Sequence, residues 1–350
     1  METDQTVKES LLYEKIAGKK VVCKICRRQC VIPSDSVGFC KTRKNIKGKL
    51  YTLEYGLASS IGIDPIEKKP FFHFWPGSRT LTMGSWSCTF VCPWCQNYGI
   101  SKVEPKSKLS TIFTPKQFIQ LALNNRCNGT SMSYSEPTTF LEFSIDVFKL
   151  AKKKKLYNTF VTNGYFSPES LEVLIKNGCD AFNIDIKGGK EAVKKYCGAD
   201  VDFVWQNIVA AKKKKAWVEI TTLVIPKVND DDKSLNSIAK RIHDEVGDEV
   251  PWHVSGYYPC YKFTAPPTPV KTLEKAWQIG KNNELNFIYI GNIPGYQENT
   301  YCPDCRELLI ERYGFSILNS NLTKNNTCQK CNRKIPIIGT VKKSTEGGFY

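Results

Sequence analysis

The sequence predicts an α/β protein whose main body is an open or partial barrel of parallel strands. From about residue 78, short runs rich in β-branched and aromatic residues alternate with helical stretches, which is typical of parallel βα units. Six or seven such units fit into about 215 residues, fewer than an eightfold barrel contains. The chain has 350 residues, of which 41% are hydrophobic, and this is enough for one such domain with smaller pieces appended.

The chain divides into three parts on this interpretation. Residues 1–77 form an N-terminal extension with a cysteine cluster, residues 78–298 form the barrel, and residues 299–350 form a ribbon-like tail with four cysteines. The extension ends at Trp75-Pro76-Gly77, which favours a turn at the boundary. We expect both outer parts to be small, cysteine-rich, metal-binding additions to the barrel.

The barrel elements follow from local pattern. The predicted strands are Thr80–Gly84, Thr130–Tyr134, Asn158–Thr162, Ala181–Ile186, Trp217–Ile225, Trp252–Gly256 and Phe287–Gly291. The bounded predicted helices are Pro115–Asn124, Pro168–Asn177, Asp231–Glu245 and Thr272–Asn282. Ser167 is the expected N-cap of the second helix, because Pro168 suits the first helical position. Reactive residues of such folds lie past the carboxyl ends of the strands, so the site is expected there.

The formal charge of +16 allows a nucleic acid or another anionic partner. The densest basic runs, Lys152–Lys155 and Lys212–Lys215, each end a predicted helix, where cations favour the negative end of the dipole. We therefore interpret most of this charge as solvated helix ends. The sequence has no apolar run of membrane-spanning length, and its start, METDQTVKES, lacks the apolar core of a signal peptide. A cytoplasmic protein without a membrane partner is expected.

Eleven of the fifteen cysteines fall into three groups. The N-terminal group is Cys23, Cys26, Cys30 and Cys40, the central group is Cys88, Cys92 and Cys95, and the tail group is Cys302, Cys305, Cys328 and Cys331. Because cytosolic thiols are kept reduced, spaced cysteines indicate metal binding or catalysis rather than disulfides. The other four, Cys127, Cys179, Cys197 and Cys260, are interpreted as small buried hydrophobes.

The central group has the spacing Cys-x3-Cys-x2-Cys directly after the first predicted barrel strand. Iron–sulfur clusters take thiolate ligands, usually four. Three ligands leave one iron open, and S-adenosylmethionine (SAM) can chelate that iron through its amino and carboxylate groups. The alternative is a zinc site whose fourth ligand is not visible in the sequence.

This motif, with Trp94 before its last cysteine, resembles the signature of radical SAM enzymes. The resemblance implies a partial (βα)6 barrel of the TIM type, a [4Fe–4S] cluster on the central group and SAM as cofactor. In that family the cluster's electron cleaves SAM and releases a 5′-deoxyadenosyl radical, which abstracts a hydrogen atom. A one-electron reductant such as ferredoxin or flavodoxin is then required.

Further segments resemble the family's SAM-binding motifs, in the right order. Ser135-Glu136-Pro137 is similar to its Gly-Gly-Glu-Pro motif, which implies that Tyr134, Ser135 and Glu136 hold the SAM amino group. Asn163 lies in a segment similar to one near SAM in the activases of glycyl-radical enzymes. Asp185 and Lys187 match the Asp-x-Lys motif of those activases, and His253 falls where they place a histidine near the ribose.

The resemblance sharpens over residues 20 to 340. Cys92-Pro-Trp-Cys95-Gln-Asn97, Tyr134-Ser-Glu-Pro-Thr138, Asp185-Ile-Lys-Gly188 and Gly291-Asn-Ile-Pro-Gly295 together resemble the AmmeMemoRadiSam-system radical SAM enzymes. That family is related to pyruvate formate-lyase activating enzyme. Its name implies Memo-type and Amme-type companion proteins, but it does not supply the reaction.

Taken without the resemblance, each of these residues also has a structural explanation. Glu136 suits the start of a helix, where a carboxylate favours the dipole. Asp185 and Lys187 lie on the same face of one strand and can form a salt bridge. His253 can be a hydrogen-bonded core histidine, and Trp94 is either core packing or a wall beside the adenine.

The two outer cysteine groups are each interpreted as four-thiolate sites. In the tail group, two Cys-x2-Cys pairs can grip one tetrahedral ion; zinc is favoured, and an auxiliary iron–sulfur cluster is the competitor. The N-terminal group, zinc or iron–sulfur, would hold together a segment too short for its own core.

Two classes of function follow from these observations. The first is a radical SAM enzyme with an unknown substrate, either a protein glycine, as for a glycyl-radical activase, or another protein, nucleic acid or small molecule. The second is a non-catalytic zinc-ribbon protein that binds nucleic acid through its charge. The second leaves Glu136, Asp185 and Lys187 unexplained.

Overall fold

The computed structural model describes residues 5–105 and 109–344. The first eight strands precede the expected barrel. They are β1 (Lys8–Glu9), β2 (Tyr13–Ile16), β3 (Lys20–Cys23), β4 (Val31–Ile32), β5 (Arg43–Ile46), β6 (Lys49–Thr52), β7 (Leu57–Ala58) and β8 (Ser60–Pro65).

The central region alternates strands and helices. Its strands are β9 (Arg79–Gly84), β10 (Thr111–Ile112), β11 (Gly129–Met132), β12 (Tyr157–Thr162), β13 (Ala181–Asp185), β14 (Trp217–Val224), β15 (Trp252–Gly256) and β16 (Ile288–Gly291). Its helices are α1 (Tyr98–Ser101), α2 (Pro115–Asn124), α3 (Leu141–Lys153), α4 (Pro168–Lys176), α5 (Lys190–Ala192), α6 (Val201–Lys213), α7 (Asp232–Arg241) and α8 (Val270–Asn282). Strands β17 (Thr300–Tyr301), β18 (Leu308–Tyr313) and β19 (Ser316–Ser320) are the last three in the described residues.

One eight-stranded sheet organises the molecule, in the order β16-β15-β14-β13-β12-β11-β9-β8. The first seven of these strands are parallel neighbours, and β8 is antiparallel to β9. All seven predicted strands are present, each within two residues of its predicted ends. The sheet is not closed, since β16 and β8 lie at opposite edges. The finer expectation, a partial barrel, stays a prediction.

The N-terminal part contributes a strand to this sheet, which the sequence pattern did not indicate. β8 pairs with β9 from Ser60 opposite Gly84 to Pro65 opposite Arg79. Six of the remaining N-terminal strands form two three-stranded antiparallel sheets, β2-β3-β4 and β1-β6-β5, and β7 pairs antiparallel with β10. The N-terminal extension therefore supplies one edge of the main sheet, while the segment carrying the N-terminal group contacts the loop after β12, where the Arg27 N–H donates to the Tyr165 carbonyl at 2.9 Å.

The helices begin where capping residues predict. Thr114 and Gln117 form a capping box at α2, and the Ser167 hydroxyl accepts the Ser170 N–H at α4, as expected. α7 begins after Asp231 and continues as a π-helix to Val246. The two lysine runs do follow the ends of α3 and α6. In the described ranges, none of the helices is long and apolar enough to cross a membrane.

Candidate functional site

The central group lies on the loop that follows β9, at the carboxyl edge of the parallel sheet. Cys92 is buried, Cys88 and Cys95 are half-buried, and all three are free thiols. The backbone N–H of Phe90 points at Cys88 Sγ across 3.3 Å, and the Asn163 amide lies 3.6 Å from the same sulfur. The loop is thus held against the segment that follows β12.

The spacing of these sulfurs separates two kinds of metal site. A single tetrahedral zinc ion with four thiolates holds their sulfurs about 3.8 Å apart, because each Zn–S bond is about 2.3 Å. Within the described part of the chain, the central sulfurs do not all lie within 4.8 Å of one another. A wider set fits a cluster, in which each thiolate binds a different iron.

Glu136 joins the ends of two strands. It is the N-cap of a 3-10 helix over Pro137–Phe140, where Oε1 accepts the Thr138 N–H at 3.1 Å. The Thr162 hydroxyl donates to Oε1 at 2.7 Å, and the Asn163 N–H donates to Oε2 at 2.8 Å. Burial raises the pKa of this carboxyl, although its hydrogen bonds act in the opposite direction. Glu136 therefore does cap the start of a helix, as its residue pattern allows. Within the described residues, its Oε2 accepts only the Asn163 N–H and keeps a lone pair for a further donor.

Asp185 and Lys187 form the expected ion pair, with Nζ 3.0 Å from Oδ2. Burial alone would lower the pKa of Lys187, but Asp185 and the nearby sulfurs of Cys92 and Cys197 raise it above its ordinary value. Asp185 ends β13, so the pair lies beside the central loop. A fixed ammonium at this position can stabilise negative charge on a bound ligand.

Trp94 is buried between two aromatic rings, with ring centroids 5.4 Å from both Tyr196 and Phe263. Its indole N–H has no hydrogen-bond partner in the part of the chain that the structure describes. The Ser135 hydroxyl is also without a partner there. Buried polar groups are nearly always paired. The Trp94 N–H and the Ser135 hydroxyl, both in segments expected to face SAM, are therefore available to hydrogen-bond a bound ligand.

The side chains of Tyr134 and His253 each hydrogen-bond to a carboxylate on a neighbouring strand or at the sheet edge. Tyr134 has a positive φ of 66°, and its hydroxyl donates to Asp64 Oδ2 at 2.6 Å, on β8. His253 is the second residue of β15, and its Nε2 lies 2.7 Å from Glu219 Oε2. Glu219 also accepts the backbone N–H of Phe72. This hydrogen bond agrees with the structural explanation for His253, and its expected place near the SAM ribose stays a prediction.

Sequence reasoning missed two neighbours of the central loop. Cys197, interpreted above as a buried hydrophobe, has its Sγ 3.4 Å from Cys92 Sγ. No local signal marks it, because 105 residues separate the two. The Asn97 amide donates to the Tyr134 carbonyl at 2.7 Å. Asn97 lies inside the quoted Cys92–Asn97 motif, so its role was accessible from that resemblance.

The tail group comes together closely. All four sulfurs lie within 4.8 Å of one another, with Cys302 and Cys331 3.5 Å apart and Cys305 and Cys328 3.6 Å apart. Each pair forms a turn in which the residue after the second cysteine, Arg306 or Asn332, is left-handed at φ 62° or 61°. This tetrahedral spacing suits one ion.

The N-terminal group lines a single cavity together with Thr89 of the central loop. No three of its sulfurs lie within 4.8 Å of one another in the described residues. The N-terminal and central groups are therefore neighbours, whereas the tail group belongs to a separate core with Phe72 and Leu309.

Comparison with known proteins agrees with this arrangement. A family model described as the radical SAM superfamily matches residues 87–237. The chain is 42% identical over 335 residues to the uncharacterized protein MJ0808 of Methanocaldococcus jannaschii, covering 95% of this chain and 100% of that protein.

Solved structures resemble the chain at lower identity. SuiB of Streptococcus suis bound to precursor peptide SuiA has a TM-score of 0.50 at 13% identity, over 65% of this chain and 51% of SuiB. A domain of pyruvate-formate lyase-activating enzyme from Bacteroides vulgatus has a TM-score of 0.42 at 20% identity, over 47% of this chain and 99% of that domain. Residues 87–237 therefore match a radical SAM superfamily domain, and the near full-length relative shows that the chain belongs to one family with the Methanocaldococcus protein.

Proposed function

We propose that this protein is an enzyme that reductively cleaves SAM at a [4Fe–4S] cluster held by the central group, on a sheet curved as a partial (βα)6 barrel. The observation that carries this proposal is the set of three free thiols on one loop at the carboxyl edge of a parallel sheet, whose sulfurs do not all lie within 4.8 Å of one another in the described residues. Residues 78–298 would form the catalytic domain. When bound, the cluster and SAM supply an electron and a 5′-deoxyadenosyl radical.

The chain's own residues would bind and orient SAM. Glu136 Oε2 has a free lone pair for the SAM amino group, and Ser135 has a free hydroxyl. Lys187, held by Asp185, offers positive charge beside the central loop, and the Trp94 indole N–H is available to a ligand. Asn163 positions the loop through the Thr89 hydroxyl at 2.9 Å and adds a polar contact at Cys88.

Loop residues 257–268 would exclude water from this site. The Lys262 N–H donates to the Pro93 carbonyl at 2.9 Å, and Cys260 Sγ lies 3.7 Å from the Cys95 carbonyl oxygen. Phe263 packs on the Trp94 ring. The loop therefore covers the central motif, and a radical formed beneath it would be shielded from solvent.

We further propose a macromolecular substrate. Tyr98 and Tyr261 stack at 4.9 Å beside the central loop and remain 45% and 37% exposed, and Val91 is 48% exposed. Exposed apolar side chains grouped at a site mouth favour a protein or nucleic-acid contact over a small solute. SuiB, which shares the fold, binds a precursor peptide. A protein glycine, as for an activase, is one member of this class.

The tail group is proposed as a structural zinc site, because its four sulfurs already have tetrahedral spacing. Residues 299–350 would then be a ribbon-like unit. Its metal would fix a short segment whose own core is small.

The experiment that tests the central proposal is anaerobic reconstitution with iron and sulfide, followed by dithionite and SAM. Formation of 5′-deoxyadenosine is expected, and the triple replacement of the central group by alanine abolishes it while the circular dichroism spectrum is kept. Replacing Cys179, a buried cysteine outside all three groups, by alanine is the matched control. A wild-type protein with zinc alone and salt-sensitive nucleic-acid binding would instead favour the zinc-ribbon function.

A further inference from the structure

The N-terminal group has the character of a metal site. Its four cysteines come from residues 23 to 40, are all free thiols, and line one cavity whose wall is completed by apolar side chains such as Ile25 and Ile32. Cys23 and Cys26 are buried, and the other two are half-buried. Four free thiols that line one cavity are a complete ligand set for one metal centre.

The spacing of these sulfurs distinguishes a cluster from an ion. A single zinc ion would hold the sulfurs about 3.8 Å apart. The tail group meets that spacing in the same chain, whereas no three sulfurs of the N-terminal group lie within 4.8 Å among the described residues. The N-terminal group therefore shares the wider arrangement of the central group, which suits thiolates bound to separate irons.

The cavity shares a wall with the central loop. Thr89, the residue after Cys88, lines the cavity, and its carbonyl accepts the Arg28 Nε–H at 2.6 Å. The Ser87 hydroxyl donates to the Cys40 carbonyl. Residues on both sides of Cys88 therefore hydrogen-bond to the segment that carries the N-terminal group, and the central loop forms the wall between the two cysteine groups.

The other side of the cavity reaches the surface. Phe39 lines the cavity and is 45% exposed, and Val37 is 46% exposed. The Arg28 guanidinium lies over the Phe39 ring at 3.6 Å, and Lys41 beside it is exposed. A metal centre in this cavity would therefore lie between the central loop and a surface that carries Phe39, Arg28 and Lys41, whose Nζ also pairs with Glu104 at 2.9 Å.

We propose that the N-terminal group holds a second [4Fe–4S] cluster, which passes single electrons from an acidic one-electron donor protein to the central cluster. The inference rests on the proposed function. In each transfer the reduced donor loses one electron, and the second cluster changes from its 2+ to its 1+ state. It returns to 2+ as the central cluster is reduced from 2+ to 1+, with no bond formed or broken. Four thiolates saturate the four irons, so this cluster carries electrons and does not bind substrate.

The first experiment removes the central group, by replacing Cys88, Cys92 and Cys95 with alanine, and measures metal after anaerobic reconstitution. About four irons and four sulfides per chain are expected to remain, with a reduced-cluster EPR signal that SAM does not change. Replacing Cys302 and Cys328 by alanine in that background should remove zinc and leave the iron. A central-group variant that binds two zinc ions and no iron would overturn the inference.

This result is independent of SAM cleavage. If the wild-type protein forms no 5′-deoxyadenosine while the variant keeps its four irons, the proposed function fails and the second cluster stands. If the wild-type protein cleaves SAM but the variant is free of iron, the proposed function stands and the second cluster fails.

The relay is tested with two reductants. Lys41→Glu should leave dithionite-driven SAM cleavage unchanged and slow cleavage driven by reduced flavodoxin about tenfold, because like charges would then face each other. Lys324→Glu, on the tail and distant in sequence, is the matched charge control. If Lys41→Glu cleaves SAM as fast as wild type with reduced flavodoxin as well as with dithionite, the relay is overturned.

Discussion

The backbone N–H of Asn163 donates to Glu136 Oε2 across 2.8 Å, so the end of β12 is fastened to the end of β11. Asn163 in turn holds Thr89 of the central loop through its amide. The side chains of Glu136 and Asn163 therefore connect the ends of β11 and β12 with the loop that follows β9, their neighbour in the sheet. This coupling explains how a short loop of cysteines can keep a fixed position over an open sheet.

Glu136→Gln should lower the free energy of unfolding by about 1–3 kcal/mol, because an amide cannot accept from every N–H that the carboxylate serves. One backbone N–H, of Thr138 or Asn163, would face the new NH2 group. Urea unfolding measures the change. Glu169→Gln, on the exposed surface of α4, is the control, and equal stability of both variants would contradict the assigned role.

Trp94→Phe should raise the dissociation constant for SAM in the reconstituted protein, because the lost indole N–H has no protein partner in the described residues and is available to a ligand. Trp277→Phe is the matched control: its indole N–H donates to the Ile288 carbonyl at 3.1 Å. That variant should lose about 1 kcal/mol of stability with normal SAM affinity. Equal SAM binding by wild type and Trp94→Phe would show that Trp94 only packs.

Arg43 and Glu142 form an ion pair of 2.7 Å in the interior, with side chains 2% and 1% exposed. Arg43→Met should destabilise the protein by about 3–5 kcal/mol, because the buried Glu142 carboxylate loses its cation and keeps only the Leu11 N–H as a donor among the described residues. The double variant Arg43→Met, Glu142→Leu should recover part of that loss. Denaturant unfolding of wild type, of Arg43→Met, of Glu142→Leu and of the double variant measures the coupling energy between the two side chains. If the losses of the two single variants add up to the loss of the double variant, the coupling is refuted.

Burial raises the pKa of Glu67 to about 7, although the Arg312 charge and the Gly77 N–H lower it. The folded state therefore binds this proton more tightly than the unfolded state, whose value is 4.5. The stabilisation of the folded state by this bound proton is fully present below pH 4.5 and is lost as the pH rises through about 7.

Glu67→Gln lacks this titration and keeps an acceptor for Gly77. Its stability relative to wild type should rise between pH 4.5 and 7.5, by up to about 3 kcal/mol. Urea unfolding at the two pH values measures the difference. A difference that does not change with pH would contradict the raised pKa.

Removal of the tail metal should unfold strands β17 to β19 and leave the main sheet folded. Replacing Cys302 and Cys328 by alanine is expected to abolish one zinc ion per chain and to accelerate hydrogen exchange in β17, β18 and β19, because the metal fixes a segment with a small core. Iron content and exchange in β11 to β13 should stay as in wild type. Full protection of the tail in the variant would show that the ion is dispensable for folding.

The local pattern of the sequence was sufficient for the elements of the sheet. Seven runs of β-forming residues became strands β9 and β11 to β16, and Ser167 capped α4. These features depend on neighbours within a few residues, so they can be read along the chain. The spacing of the central and tail groups predicted metal sites for the same reason, since a loop or a turn fixes the distance between nearby cysteines.

Long-range pairing could not be read in this way. Strand β8 occupies the edge of the sheet beside β9, Cys197 lies against Cys92, and His253 bonds to Glu219 on the neighbouring strand. Each depends on strand order and register, which nothing in a short window of residues specifies.

The sequence by itself determined which residues can bind metal and which segments form the seven parallel strands and several of the helices between them. Only the tertiary structure decided that the tail sulfurs converge to the spacing of one ion, while the N-terminal and central sulfurs stay wider apart on either side of Thr89. The physical reason is that ligand chemistry belongs to single residues, whereas the distance between ligands is set by the packing of segments far apart in the chain.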